Sequence, residues 1–438
     1  MRLNVRKFFQ PKTHEGAPAA RITAEQQLRR TVMACLLWEN NFYEGGIAVA
    51  ERMKDLVRRC DPDMVANLAI EAREKGRLRH TPLLLMRELA RHPEKPKIAA
   101  GLARVIQRAD ELSEFMAMYW SEGRCPLSAQ VKKGLAEAFG KFDAYQLAKY
   151  NRNSAVRLRD VLFMCHAKPK DGAQEDLWKE LVEKRLNAPD TWEVGLSAGA
   201  GKKETFTRLI KESKLGYMAL LRNLRNMTEA DVDFNLIKNA ILSGAEKSKA
   251  LPFRFVAAAN AAPRYEPVLD EAMKAAVKHL EPLSGQTYVL IDVSGSMEWR
   301  LSGKSDLNRI DAASALGVLV CALSESARVF TFSNRVVEVP PRASLSLIKA
   351  IQNSQNHGGT ELGAAVREIN KKGPYDRLIV ITDEQSHDRV PSPAGRGYLI
   401  NVATYKNGVG YGDWVHIDGF SEAVVNFIQS YEKETFVQ

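Results

Sequence analysis

QTYVLIDVSGS, residues 286–296, decides the fold of the C-terminal third of this chain. Its first eight residues are largely apolar, which is typical of a strand buried on both faces of a parallel sheet. Further strand-like runs follow, and they read RVFTFS (328–333), RVVEV (335–339), RLIVIT (377–382), YLINVAT (398–404) and WVHIDGF (414–420). Helices are predicted between or after them, at about 308–326, 344–353, 361–371 and 421–432. This alternation predicts a mostly parallel, doubly wound α/β sheet that binds ligands at the carboxyl ends of its strands.

The residues before this sheet carry a helical pattern, with apolar side chains at three-to-four spacing. Leu28, Val32, Cys35 and Leu36 form one such stripe. Similar stripes predict about a dozen short helices in all, among them 48–60, 63–75, 81–91, 97–107, 128–139, 157–164, 175–185, 204–213, 216–225, 231–242 and 268–279. So many short helices favour an α-solenoid of stacked pairs over a simple bundle. We therefore predict a helical domain over 1–285 and an α/β domain over 286–438.

Composition and cysteine usage limit the class of protein. The chain has 438 residues, 45% of them hydrophobic, which is typical of a globular protein of two or three domains. Its five cysteines are scattered without a CxxC pair, which favours a reducing compartment and argues against a zinc ribbon. The sequence shows no secretory leader and no apolar run of about 18 residues, so we expect a cytoplasmic protein without a membrane span.

The positive charge is concentrated in the helical part. Lys and Arg number 63 against 53 Asp and Glu, and residues 1–285 carry a net +12 whereas 286–438 carry −2. Clustered Lys and Arg gain affinity for polyanions by releasing counterions from phosphates. The asymmetry therefore predicts a polyanionic partner for the helical part, and the alternative is a basic surface that meets only solvent.

Five oxygen-bearing side chains follow the strands of the predicted sheet. The first strand ends in D-x-S-x-S, a Gly-Gly-Thr segment follows later, and RLIVIT ends in Thr-Asp; the side chains are those of Asp292, Ser294, Ser296, Thr360 and Asp383. A hard divalent ion such as Mg²⁺ prefers oxygen ligands and retains water, so this set suits it. An open coordination position would accept a carboxylate or phosphate. The alternative is that Asp292 and the serines only form turns and cap the next helix.

The order of these motifs resembles a von Willebrand factor A (vWA) domain with a metal-ion-dependent adhesion site. The resemblance covers about 286–438 and includes all five oxygen residues in order. It implies that these five residues hold a divalent metal ion, most commonly Mg²⁺.

The helical part resembles the TROVE module of the Ro autoantigen and its bacterial relatives. The stretches that carry this resemblance are LRRTVMACLLWENNFYEGG (28–46), KYNRN with RLRDVLFMCHAKPK (149–170), LGYMALLRNLRNMT (215–228) and HIDGFSEAVVNFIQSY (416–431). Together with the vWA pattern, the resemblance spans nearly the whole chain.

The resemblance to Ro proteins implies a ring of HEAT-like helical repeats closed by the vWA domain, complete as a monomer. Proteins of this family bind small noncoding Y RNAs on the outer surface of the ring, and single-stranded ends of misfolded or structured RNAs enter the central hole. Bacterial relatives associate with the exoribonuclease polynucleotide phosphorylase. Lys149, Arg152 and His166 match family positions implicated in RNA binding. Lys and Arg neutralise phosphates, and His can stack on or hydrogen-bond to a base.

Three classes of function stay open. The first is an RNA-binding ring without catalysis of its own, because the sequence offers no convincing catalytic set. The second is an adhesion module whose metal captures an acidic residue of a partner protein. The third is a metal-assisted phosphoesterase, although two-metal chemistry normally uses more carboxylates than this site has. Arg222 and Arg225 would line the hole or, as we favour, pair with acids on neighbouring helices.

Overall fold

The computed structural model describes residues 10–34, 45–151, 153–248, 250, 252–278, 281–301, 307–419 and 423–435. It divides into two compact units, of which one spans 49–214 and the other combines 1–48 with 215–438. None of the helices in these ranges has the length and apolarity needed to cross a membrane.

Short α-helices make up the part of the chain before the sheet. They are α1 (Ala24–Ala34), α2 (Gly46–Val57), α3 (Pro62–Glu74), α4 (His80–Ala90), α5 (Ala99–Val105), α6 (Ala109–Tyr119), α7 (Ala129–Phe139), α8 (Ala144–Tyr150), α9 (Leu158–Cys165), α10 (Gly172–Val182), α11 (Trp192–Ser197), α12 (Lys202–Lys211), α13 (Tyr217–Arg222), α14 (Leu224–Glu229), α15 (Phe234–Ala245), α16 (Pro252–Ala261) and α17 (Glu266–Val277).

Alternate helices stack on one another in the unit of residues 49–214. α3 packs on α5, α5 on α7 and α7 on α9, while α4 packs on α6. This order is typical of an α-solenoid, and it confirms the predicted helical architecture. The helices outnumber the dozen predicted, because α6, α8, α11, α14 and α16 were not among the predicted stripes.

Buried ion pairs hold α6 against α3 and the chain before α4. The Arg73 guanidinium donates to Glu111, which is fully buried, over 2.6 Å. Arg79 donates to Asp110 over 2.7 Å. Burying a carboxylate is costly unless a cation neutralises it, so these arginines are committed to the fold. Part of the basic charge of residues 1–285 therefore serves internal packing instead of a partner.

The second unit contains one six-stranded sheet. Its strands are β1 (Leu283–Asp292), β2 (Ser324–Phe332), β3 (Val336–Val339), β4 (Arg377–Thr382), β5 (Arg396–Asn401) and β6 (Trp414–Asp418). Their order is β3-β2-β1-β4-β5-β6, and every neighbouring pair is parallel except β2 with β3. This topology confirms the predicted mostly parallel, doubly wound sheet, whose order reverses at β1.

Four helices accompany the sheet: α18 (Arg309–Ala322), α19 (Ser344–Gln352), α20 (Leu362–Ile369) and α21 (Ala423–Thr435). α18 packs on β1 and β2 and is covered by α16 and α19, so it is buried on nearly every side. The predicted helix over 308–326 was too long, because β2 already begins at Ser324 and pairs with Leu283 of β1. The sheet is longer at this end than the apolar run alone indicated.

The N-terminal segment 10–34 packs on the loops that follow β4 and β5. The Thr13 hydroxyl donates to the Ser386 carbonyl over 2.9 Å, and the Thr404 hydroxyl donates to the Ala34 carbonyl over 2.8 Å. The Arg30 guanidinium is fully buried in an ion pair with Glu384. Segment 10–34 is therefore an integral part of the unit that contains the sheet.

Candidate functional site

The D-x-S-x-S turn begins where β1 ends, at the carboxyl edge of the sheet. The Ser294 backbone N–H donates to Asp292 Oδ1 over 2.9 Å, which holds the turn closed. The hydroxyl oxygens of Ser294 and Ser296 lie 3.2 Å apart. The Thr382 hydroxyl, at the end of β4, donates to Asp292 Oδ2 over 2.6 Å. Neighbouring strand ends thus fix the Asp292 carboxylate, which is fully buried.

The second carboxylate of the site, that of Asp383, follows β4 directly and is also fully buried. Burial and the neighbouring Asp383 charge raise the pKa of Asp292 well above its ordinary value. The two buried carboxylates lie at the ends of adjacent parallel strands, β1 and β4, so their like charges disfavour ionisation of both. A cation between them would relieve this repulsion.

One cation is already present beside Asp383. Arg309, the first residue of α18, lies with its Nη1 3.2 Å from Asp383 Oδ2, and its side chain is only 4% exposed. Asn308 and Asp311 cap the start of α18 reciprocally, over 2.7 and 2.9 Å, which fixes the position of Arg309. Sequence reasoning missed Arg309, because nothing in the local pattern links it to an aspartate 74 residues later.

Thr360 lies in a loop that is tied to the same edge of the sheet. The Gly295 backbone N–H donates to the Gly358 carbonyl over 2.9 Å, which joins the Gly-Gly-Thr segment to the D-x-S-x-S turn. The Thr360 carbonyl accepts from the His387 backbone N–H over 2.8 Å, and Thr360 itself is buried. The carboxyl ends of β1 and β4 and this loop thus meet at one edge.

The oxygen donors of this edge fit a hard divalent ion. Two buried carboxylates and the hydroxyls of Ser294 and Ser296 lie at the edge, and Thr360 would add a third hydroxyl. Within the part of the chain that the structure describes, no three His, Cys, Asp or Glu side chains group as metal ligands. Hydroxyl oxygens would therefore have to complete the coordination, as the sequence pattern predicts.

A buried charged cluster lies beside this edge and was also missed by the sequence analysis. Glu384, the residue after Asp383, pairs with Arg30 and accepts from the Gly410 backbone N–H over 2.6 Å. His416 Nε2 donates to Asp418 Oδ1 over 2.6 Å. A Cβ at Gly408 would collide with the Arg30 guanidinium, so a larger residue here would have to displace this buried ion pair. The loops that follow β4 and β5 are thereby fixed to the N-terminal segment.

The residues expected to bind RNA lie in the other unit. Lys149, in the last turn of α8, is half-buried, and its ammonium donates to the Tyr145 hydroxyl over 3.4 Å. His166 is exposed at the C-cap of α9 in a left-handed conformation, with φ 53°. Among the described residues neither side chain makes an ion pair with a carboxylate. Arg152 lies outside the described residues.

Arg222 and Arg225 have different surroundings. Arg225 lies 3.9 Å from Glu229, so it pairs with an acid, although on its own helix and not on a neighbouring one. Arg222 is exposed on α13, and burial, with the charge of Arg222 as a smaller cause, lowers the pKa of Arg254. Among the described residues neither arginine thus pairs with an acid on a neighbouring helix, as we had favoured, and the described neighbour of Arg222 is another arginine.

Two family models match this chain. The TROVE domain matches residues 179–277, and the Ro60 vWA domain matches residues 286–398. The second match includes all five predicted oxygen ligands. Lys149, Arg152 and His166 precede the first match, so their assignment depends on the motifs quoted above. The predicted boundary after residue 285 falls between the two matches and stays a prediction.

The fold is similar to that of a solved structure, the crystal structure of the Ro (RSR) protein from Deinococcus radiodurans. The TM-score is 0.63 over 93% of this chain and 99% of that chain, at 18% sequence identity. An aerotolerance-related membrane protein from Bacteroides fragilis also matches, with 18% identity over 26% of this chain and 66% of its own, but its TM-score of 0.21 supports no comparison.

Proposed function

We propose that this chain, a Ro-type protein in which a TROVE domain precedes a vWA domain, is an RNA-binding protein without catalysis of its own. The observation that carries this proposal is the occurrence of both family matches in one chain. Its RNA would be a small Y-like noncoding RNA on the outer surface of the helices. Single-stranded ends of misfolded or structured RNAs would enter the central hole that the family resemblance implies. The role would be RNA quality control, processing or decay.

The charges of the helical unit support RNA binding at α8 and α9. Lys168 and Lys170 follow His166 in an exposed turn, and within the described residues neither makes an ion pair. In contrast, Arg73, Arg79 and Lys54 are paired with carboxylates of their own unit. A cation without an internal partner breaks no ion pair when it binds a phosphate. Lys149 and the two lysines of this turn are therefore the more favourable phosphate contacts.

Equilibrium binding to a structured RNA with a single-stranded 3′ end tests the proposal. The wild-type chain, Lys149→Ala/His166→Ala and the control Arg104→Ala would be titrated at several salt concentrations. Arg104 is half-exposed and pairs with Glu74 over 2.7 Å, so its loss removes a surface cation that already has a partner. We expect the double variant to bind at least tenfold more weakly and the control to bind like wild type. Equal binding by all three proteins would overturn the assignment.

We further propose that Asp292, Ser294, Ser296, Thr360 and Asp383 bind a divalent metal ion, Mg²⁺ in the cell. When bound, the metal would supply a Lewis-acidic position for a carboxylate or phosphate oxygen. The placement of two buried carboxylates at the ends of the adjacent strands β1 and β4 supports this proposal. Titration with Mn²⁺, followed by its electron paramagnetic resonance signal, should show one site that is lost in Asp292→Ala.

The second candidate function is metal-dependent capture of an acidic residue of a partner protein. The buried carboxylates of the site favour it, because they have no evident use in RNA binding. A partner captured in this way should be released by EDTA and by Asp292→Ala, whereas RNA contacts at Lys149 should persist. If the source is bacterial, polynucleotide phosphorylase is the partner to examine first. We expect a cytoplasmic monomer in either case.

A further inference from the structure

Two exposed aromatic side chains accompany the residues proposed to bind RNA. Tyr145 and Phe163 are the only exposed large hydrophobic side chains in the described part of the 49–214 unit. Their exposed fractions are 47% and 60%. Tyr145 precedes Lys149 by one helical turn, and Phe163 precedes His166 by three residues. Aromatic rings normally bury their surface on folding, so exposed rings beside unpaired cations indicate a binding surface.

Tyr145 is distinguished from Phe163 by its cationic neighbours. The Lys149 ammonium lies 5.5 Å from the centre of the Tyr145 ring and 5.8 Å from the centre of the Tyr150 ring. The Arg108 guanidinium lies 4.7 Å from the centre of the same Tyr150 ring. Each distance is within the range of a cation–π contact. Tyr145, Lys149, Tyr150 and Arg108 thus alternate as ring, cation, ring and cation, and we refer to these four residues as the cation–ring row.

The cation–ring row has the two features with which proteins bind single-stranded nucleic acid. An exposed ring offers a face on which a base can stack, and an adjacent cation neutralises the phosphate of the same or the next nucleotide. Among the described residues Lys149 makes no ion pair with a carboxylate, and its ammonium donates to the Tyr145 hydroxyl over 3.4 Å. The bases inside a duplex could not stack on the exposed ring, because they are already stacked on one another.

We infer that Tyr145 stacks on an unpaired base of the bound RNA while Lys149 contacts the adjoining phosphate. This inference rests on the proposed RNA-binding function and adds to it the class of ligand, a single-stranded nucleotide at α8. Tyr145 requires no particular base, because every base presents a π face. The inference is limited to Tyr145, since the described residues place no cation over the ring of Phe163.

The substitution that tests the inference is Tyr145→Ala, with Tyr145→Phe as the conservative variant. Asp143 and Gln146 cap α8 reciprocally over 2.7 and 3.1 Å, so the helix does not depend on the Tyr145 side chain for its start. Phe427 provides a matched control, because it is a 43% exposed aromatic residue on α21. Circular dichroism and melting temperatures would establish that all variants fold.

Two RNAs distinguish stacking from a merely structural effect. One is a hairpin that ends in a single-stranded adenosine tail, and the other is the same hairpin with an abasic tail. We expect Tyr145→Ala to bind the adenosine tail about tenfold more weakly than wild type, and the two proteins to bind the abasic tail equally. Tyr145→Phe and Phe427→Ala should bind both RNAs as wild type does.

The salt dependence adds a second readout. Tyr145→Ala removes no charge, so the slope of log K against log salt should not change. Lys149→Ala should make this negative slope less steep by about one. Equal binding of the adenosine tail by wild type and Tyr145→Ala would overturn the inference. So would a defect of Tyr145→Ala that persists on the abasic tail. Absence of binding by the wild type itself would instead contradict the proposed function.

Discussion

The Arg309 guanidinium lies 3.2 Å from the carboxylate of Asp383, and both side chains are buried. Asp383 is the carboxylate that the sequence pattern assigns to a metal ion, so the protein itself supplies one cation to this site. With Asp292 and Asp383 ionised, the side chains of the site carry a net charge of about −1 instead of −2. A bound divalent ion would therefore share Asp383 with Arg309.

Replacing Arg309 should strengthen metal binding at this site. Arg309→Met removes the competing charge of the guanidinium from beside the buried carboxylate of Asp383. We expect Mn²⁺ to bind about tenfold more tightly, which corresponds to about 1.4 kcal/mol, and we expect the metal-free variant to melt at a lower temperature than wild type. Isothermal titration calorimetry and thermal melts measure the two effects. Arg309→Lys, which keeps the charge, is the control. Weaker metal binding by Arg309→Met would show that Arg309 supports the site instead of competing at it.

Arg30 should be essential for the stability of the unit that contains the sheet. Its guanidinium is buried against Glu384, and removal of one partner of a buried ion pair typically costs about 3–5 kcal/mol. We expect Arg30→Met to lower the midpoint of urea unfolding strongly. Arg30→Met/Glu384→Gln should be less destabilised than the sum of the single variants, because no uncompensated charge remains. Additive losses would show that the two residues act independently.

The surroundings of His416 predict a pH-dependent stability. Burial lowers the pKa of His416, but the Asp418 and Glu384 charges outweigh it and, against the opposing charge of Arg30, leave the pKa raised. The ring of Tyr411 also stacks on His416, with the ring centres 4.4 Å apart. A raised folded-state pKa stabilises the protein fully below the unfolded value of about 6.5, and this stabilisation is lost as pH rises through the folded pKa.

Thermal melts of wild type and His416→Gln at pH 6, 7 and 8 measure this contribution. We expect the melting temperature of the wild type to fall relative to that of His416→Gln as the pH rises. The glutamine variant is the matched control, because it keeps a polar side chain of similar length and cannot titrate. A constant difference between the two proteins over this range would contradict the assigned direction.

Much of the sheet could be predicted because its strands are apolar runs with clear boundaries. β1 and β4 were read directly from QTYVLIDV and RLIVIT, and parallel strand ends at one edge then placed Asp292 beside Asp383. α6 was missed although it buries Leu112, Phe115 and Met116 at helical spacing. Its buried Asp110 and Glu111 become understandable only through their arginine partners on other elements.

The ion pairs around the site could not be predicted from local pattern. Arg309 and Asp383 are 74 residues apart, and Arg30 and Glu384 are 354 residues apart. An arginine is normally expected to face solvent, and only tertiary packing shows that these two do not. The same limit applies to Tyr145, whose exposure distinguishes it from the many aromatic residues of the core.

Recovery of the protein from its native cells with crosslinked RNA tests the central claim most directly. The RNA bound to the wild-type chain would be sequenced beside that bound to Lys149→Ala/His166→Ala. We predict enrichment of structured noncoding RNAs, or of RNAs with single-stranded 3′ ends, with the wild type and its loss with the variant. The same background RNA with both proteins would contradict RNA binding at α8 and α9 and would leave metal-dependent protein capture as the better account.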